Sequence, residues 1–179
     1  MLVYKTKNNE KIIDAFFTIL KNYTYDELQI MQLCYEADVS RQTFYNLFKT
    51  KANVVRAYVE SLFNDFLIEY FNIPSHTIRT DIGVVVDVVN SHSERLLQIF
   101  KNDLGVLLKD TVVKLTSDKL SISEANSNDY RTLIFLCTGI LSLVKYELMN
   151  NETIKNKEAF VNYFIDLFKG KMMHGLILE

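Results

Sequence analysis

The chain has 179 residues, 49% of them hydrophobic, with 20 Lys and Arg against 22 Asp and Glu for a net charge of −2. Such an apolar fraction supports a sizeable core and excludes wholesale disorder, and the length suits one larger domain or a small domain joined to a medium one. Five Gly and one Pro, with no Gly before Gly83, argue against a turn-rich β architecture and for an all-α protein.

Asn8 or Asn9 is placed to cap a first helix, whose apolar positions Ile12, Ile13, Phe16, Ile19, Leu20 and Tyr23 recur three and four apart. Thr24 or Asp26 caps a second, carrying Leu28, Ile30, Met31, Leu33 and Cys34 and stopping at Ala37-Asp38. Ser40, a good N-cap, opens a short third helix that buries Phe44, Leu47 and Phe48, with Val39 packing from the turn. Thr50 starts a long fourth helix with the stripe Val54, Val55, Tyr58, Val59, Leu62, Phe63, Phe66, Leu67 and Tyr70. It ends ahead of Asn72-Ile73-Pro74, where proline resists helical continuation. Beyond it, helices are expected over about 77–90, 92–102, 104–118, 124–149 and 154–169, with loops near Ser117-Asp118 and Asn150-Asn151. The valines at 84, 85, 86, 88 and 89 also fit a strand, but no partner strand is visible and helix is preferred. Pro74 marks a candidate boundary blurred by a crossing helix, and the division adopted is 1–50 for a helix-turn-helix domain and 51–179 for a helical second domain.

Two helices joined by a tight turn, the second short and polar outside, make a helix-turn-helix. Around the buried Phe44, Leu47 and Phe48, the residues Ser40, Arg41, Gln42, Thr43, Tyr45 and Asn46 stay outside and carry hydrogen-bonding groups. Arg41 suits guanine O6/N7 or a phosphate, Gln42 suits adenine, and Thr43 suits a thymine methyl. Tyr45 and Asn46 suit phosphate or base edges, and Lys51 and Gln29 sit near helix starts, where phosphates are attracted. Charge alone points nowhere: residues 1–60 hold eight basic and seven acidic residues, a balance of only +1.

The ordered set Thr24-Tyr25, Ala37-Asp38-Val39-Ser40, Tyr45-Asn46-Leu47-Phe48 and Thr50-Lys51 gives the span Lys11 to Tyr58 a strong resemblance to the DNA-binding domain of TetR-family transcriptional regulators. Asp38 and Thr24 stand where the family usually has glycine, and Cys34 where it often has alanine; Asp tolerates left-handed backbone better than most residues. The resemblance implies an all-α fold, with a three-helix DNA-binding domain linked by a long fourth helix to a helical ligand-binding and dimerisation domain. It implies a homodimer on a pseudo-palindromic double-stranded operator, commonly a repressor released by a small-molecule effector; the alternative is an activator whose C-terminal domain binds a protein. On that reading Phe66, Tyr70, Phe100 and Phe135 are candidate pocket residues, since ligand sites are mostly apolar. Gly139, Leu143, Phe160, Phe164 and Phe168 are candidate interface residues on the last two long helices.

Other classes find little support. Cys34 and Cys137 lie in apolar helical patterns, as free cysteines of a reducing cytoplasm do. The start MLVYKTKNNEK lacks the apolar run of a secretory signal, and the greasy stretch Leu133 to Val144 is interrupted by Thr138, Gly139 and Ser142 and is too short for a bilayer helix. His76, His92 and His174 have no metal-ligand spacing, and no Ser/His/Asp order or glycine-rich phosphate loop is present. A cytoplasmic protein with no metal, no cofactor, no membrane and no enzymatic activity is the expectation. The terminal stretch Lys171 to Glu179 reads as a mobile or partner-packed tail.

Overall fold

The computed structural model describes residues 7–124 and 127–168. Among them the regular elements are all α-helices: α1 Lys7–Ile19, α2 Ile30–Glu36, α3 Arg41–Leu47, α4 Lys51–Asn72, α5 Ile78–Ser91, α6 Ser93–Lys101, α7 Gly105–Leu120, α8 Ser127–Asn151 and α9 Lys157–Phe168. Helices α1 to α3 form an N-terminal headpiece, α4 runs out of it, and α5 to α9 pack around the rest of α4. The tail read at Lys171 to Glu179 lies outside the described residues.

Helix α1 is already formed at Lys7, so the expected caps Asn8 and Asn9 lie inside it and Asn9 is buried. Its buried face holds Ile12, Ala15, Phe16, Phe17 and Ile19, and Phe17 meets Tyr58 of α4 edge-on at 4.6 Å. Tyr23, expected in this stripe, lies past the helix end and is exposed. Thr24 caps only a turn: its N–H and hydroxyl donate to the Glu27 carboxylate at 2.9 and 2.8 Å. Helix α2 therefore begins at Ile30, and Met31 faces outward, 65% exposed, instead of joining the core. The Lys51 ammonium clips this corner by donating to the Tyr25 and Leu28 carbonyls at 2.7 and 2.8 Å, over the Tyr25 ring.

The first turns of α4 bury Val54, Val55, Tyr58 and Val59, and the helix is only half-buried from Leu62 to Leu67. The valine run forms α5, opened by a reciprocal Thr77–Thr80 capping box and buried at Val84, Val86, Val88 and Val89. Helix α7 continues through the expected loop at Ser117-Asp118, with Ser117 buried and its hydroxyl donating to the Lys114 carbonyl within the helix. It stops at Ser121, where φ is 55°. Helix α8 likewise runs on through Asn150 and Asn151. The loop to α9 is held by Asn90 of α5, which accepts from Ile154 N–H at 2.8 Å and donates to its carbonyl at 3.2 Å.

One buried cluster runs from Ile12, Phe16 and Phe44 in the headpiece through Val54 and Tyr58 to Ile99, Leu108 and Leu148. Burying each such side chain contributes roughly 1.5–3 kcal/mol. Helix α6 reaches back to the headpiece through polar contacts as well. Arg95 bonds Asp14 of α1 at 2.8 Å, Glu94 bonds Lys21 at 2.8 Å, and Asn102 Oδ1 accepts from the Tyr25 N–H at 2.7 Å.

Candidate nucleic-acid interface

A helix as short as α3 is unstable alone and needs anchors. Phe44 and Phe48, one turn apart and at most 3% exposed, supply them, and Ser40 supplies the start by accepting from the Thr43 N–H at 3.0 Å. The residue before the turn into this helix, Asp38, holds φ at 52°, the left-handed backbone expected of a residue standing in for glycine. Thr50 repeats the device for α4, its side chain accepting from the Asn53 N–H, while Asn53 Nδ2 donates to the Phe48 carbonyl at 2.7 Å. Both ends of α3 are thereby fixed on the body of the headpiece.

This anchoring leaves Ser40, Arg41, Gln42, Tyr45 and Asn46 exposed along α3. Thr43 is half-buried, its hydroxyl 2.9 Å from Ser40 Oγ, so the two hydroxyls serve the cap. Tyr45 stacks its edge on Phe44 at 5.5 Å, which steers the phenol. Gln29 is the N-cap residue of α2 and is exposed, with no side-chain hydrogen bond to that helix. Lys51 sits at the same corner, bonded to the carbonyl of the neighbouring Leu28, so its ammonium is a half-buried clip rather than a free surface charge. Burial pushes the Cys34 thiol up, with Arg41 opposing, which leaves that sulfur as packing. Leu47 is the correction here: expected in the core, it is 37% exposed, because only positions 44 and 48 of so short a helix meet the headpiece.

Lin0861 from Listeria innocua superposes on this chain with a TM-score of 0.73 at 20% identity, covering 89% of this chain and 90% of that one. The TetR-family repressor AlkX from Dietzia sp. strain DQ12-45-1b gives a TM-score of 0.58 at 13% identity, covering 92% and 95%. The chain has the TetR-family fold. The dihydroxyacetone kinase operon activator DhaS shares it, with a TM-score of 0.53 at 16% identity over 92% and 95% of the two chains. No protein-family model and no curated protein matches the sequence.

Within this TetR fold the expected pocket residues do not converge. Phe66 and Tyr70 are half-buried on α4, where their rings stack at 5.6 Å, while Phe100 is fully core and Phe135 is 72% exposed on α8. A cleft of about 1100 Å³ lies elsewhere, between α1, α4, α6 and α7, and includes Asp14, Phe63, Leu67, His92, Arg95 and Lys114 in its walls. There His92 Nδ1 is 3.3 Å from the Tyr58 hydroxyl and its Nε2 is 3.2 Å from Asp65. Burial pushes the His92 pKa down against the pull of Asp65, and burial pushes the Tyr58 phenol up. Among the described residues no three His, Cys, Asp or Glu are grouped to hold a metal ion.

The expected interface residues also divide. Phe160 and Phe164 are buried in the chain's own core because the apolar stripe of α9 is used against α5, and Leu143 of α8, which packs on α6 and α7, is half-buried against that core. Among the described residues, nothing lies within 4 Å of where a Cβ on Gly139 would stand, so no described helix approaches it closely. The side chain of Phe168 lies outside the described residues. What the TetR fold leaves bare is a face of α8, with Phe135, Tyr146 and Met149 exposed and Gly139 beside Phe135 in a shallow apolar depression. Helix α8 is also longer than the greasy stretch suggested: Asn128–Asn151 is long and apolar enough to cross a membrane by length and composition, and 22% of its most apolar window is buried. Sequence reasoning missed Met31, Leu47, Tyr146 and Met149 as exposed apolar groups; periodicity marks a stripe as apolar without saying which neighbour it meets.

Proposed function

We propose that this chain is a sequence-specific DNA-binding transcriptional regulator, acting in the cytoplasm as a homodimer on a pseudo-palindromic operator. The observation that carries the reading is α3: a capped helix held by two buried phenylalanines with Arg41, Gln42, Tyr45 and Asn46 exposed together. In the major groove Arg41 pairs with guanine or phosphate and Gln42 with adenine, while Gln29 meets the backbone from the α2 start. Residues 1–50 form the DNA-binding unit and 51–179 the regulatory one. The bare face of α8 supports the dimer, since two copies pairing Phe135, Gly139 and Tyr146 across a two-fold axis bury it. Such a dimer reads both half-sites when its two α3 helices stand about one helical turn of DNA apart, ~34 Å.

Repression relieved by a small molecule is the regulatory reading, with the α1–α4–α6–α7 cleft as its seat. An occupant there touches α1 and α6 at once, and shifts the equilibrium only by binding one arrangement of the two better. The neighbours carry both signs of regulation, AlkX as a repressor and DhaS as an operon activator. Selection of bound sequences from random duplex DNA tests the core claim. The double variant Arg41→Ala/Tyr45→Ala is expected to lose about tenfold or more in affinity for the selected sequence at fixed salt, as good base contacts are each worth ~1–3 kcal/mol. Unchanged affinity would show that α3 does not read DNA. Screening compounds that release the selected duplex then separates the effector reading from ligand-independent regulation.

A further inference from the structure

Leu47 ends α3 with 37% of its surface exposed, and it is absent from the residues packed on the core. It lies four residues after Thr43 and seven after Ser40, so the three share one flank of the helix. On that flank the hydroxyls are already engaged, Ser40 Oγ with the Thr43 N–H at 3.0 Å and with the Thr43 hydroxyl at 2.9 Å. The exposed Arg41, Gln42, Tyr45 and Asn46 lie on the other sides. Helix α3 is therefore two-sided, hydrogen-bonding on one side and apolar at its C-terminal end on the other. A helix ~10–12 Å across fills a major groove about 12 Å wide, so both flanks meet base edges or groove walls. The apolar group that a major groove offers is the 5-methyl of thymine.

We propose that Leu47 is a specificity-determining residue that reads a thymine 5-methyl group in each half-site, a role beyond the polar contacts of Arg41, Gln42, Tyr45 and Asn46. This rests on α3 reading DNA, and the test keeps the two claims apart. The duplex selected by the wild-type chain from a random pool is resynthesised with deoxyuridine replacing one thymidine at a time, which removes a methyl and keeps pairing and phosphates. At one position per half-site the change is expected to weaken wild-type binding about fourfold, the worth of one buried methyl group. Leu47→Ala is expected to bind more weakly overall, to be indifferent to deoxyuridine at that position, and to keep the wild-type salt dependence. Leu47→Met, which retains apolar reach, is expected to keep the sensitivity. If Leu47→Ala responds to deoxyuridine as the wild type does at every position, Leu47 does not read the methyl although α3 still reads DNA. If the wild type selects no sequence, the DNA reading itself falls.

Discussion

At Asp38 the backbone is left-handed with φ at 52°, and the carboxylate, 96% exposed, pairs with Lys11 at 3.6 Å. An exposed pair of that kind contributes little, so the position isolates the backbone. Asp38→Val is expected to lower headpiece stability by roughly 1–2 kcal/mol, the penalty of left-handed backbone for a branched residue, whereas Asp38→Gly keeps it. Urea unfolding of the three proteins checks this, and an unchanged midpoint for the valine variant would refute the strain account. His92 offers a second residue-scale prediction. Its folded pKa is lowered by burial, so the native state binds the proton more weakly than the unfolded chain. That stability is present above the ordinary histidine pKa, ~6.5, and is lost as pH falls through the lowered folded value. Thermal unfolding between pH 8 and pH 5 should show the loss in the wild type and a shallower one in His92→Gln; parallel curves would remove His92 as the source. Ser40, Thr50 and Asp38 were legible in the sequence because caps and turns depend on chemistry within three or four residues. The carbonyl contacts of Lys51 and the exposure of Leu47 were not, since one depends on carbonyls 23 and 26 positions away and the other on what fails to cover it.

Helix α6 shows what an element does that no motif announces. Its residues Arg95 and Glu94, with its C-cap residue Asn102, hold α1 and the turn before α2, and Asn102 is anchored in return by donating to the Gln98 carbonyl at 2.9 Å. Removing the Asn102 side chain leaves the part-buried Tyr25 N–H without its acceptor, a loss of ~1–3 kcal/mol. Asn102→Ala should accelerate amide exchange at Tyr25 and through α2 and leave α5 and α9 unchanged; equal protection throughout would mean that α6 does not brace the headpiece. Helix existence and type were readable along the chain from three-and-four periodicity, even through the valines of α5. Ends were less so. Thr24 has the chemistry of a cap but closes only one turn, and Ser117 looks like a loop residue until its hydroxyl is seen bonded back to Lys114.

Across the molecule, the apolar stripes of α8 and α9 go to different places. The α9 stripe of Phe160 and Phe164 closes the chain's own core, and α8 keeps Phe135, Tyr146 and Met149 outside. The proposed dimer follows from that asymmetry, so Phe135→Asp should sediment as a monomer at micromolar concentration with its helical content intact, while Phe160→Asp should unfold. A dimer undiminished by Phe135→Asp would move the interface off this face. The sequence by itself determined that the chain is helical, that its headpiece is a capped helix-turn-helix, and that α3 presents Arg41, Gln42, Tyr45 and Asn46, because each of these rests on local backbone chemistry and on residues within a turn or two. Only the tertiary structure decided which apolar residues are core and which are surface, where the cleft lies, and that Lys51 clips a corner. Those outcomes depend on contacts between distant segments, and a periodic stripe records that a face is apolar without recording what it meets.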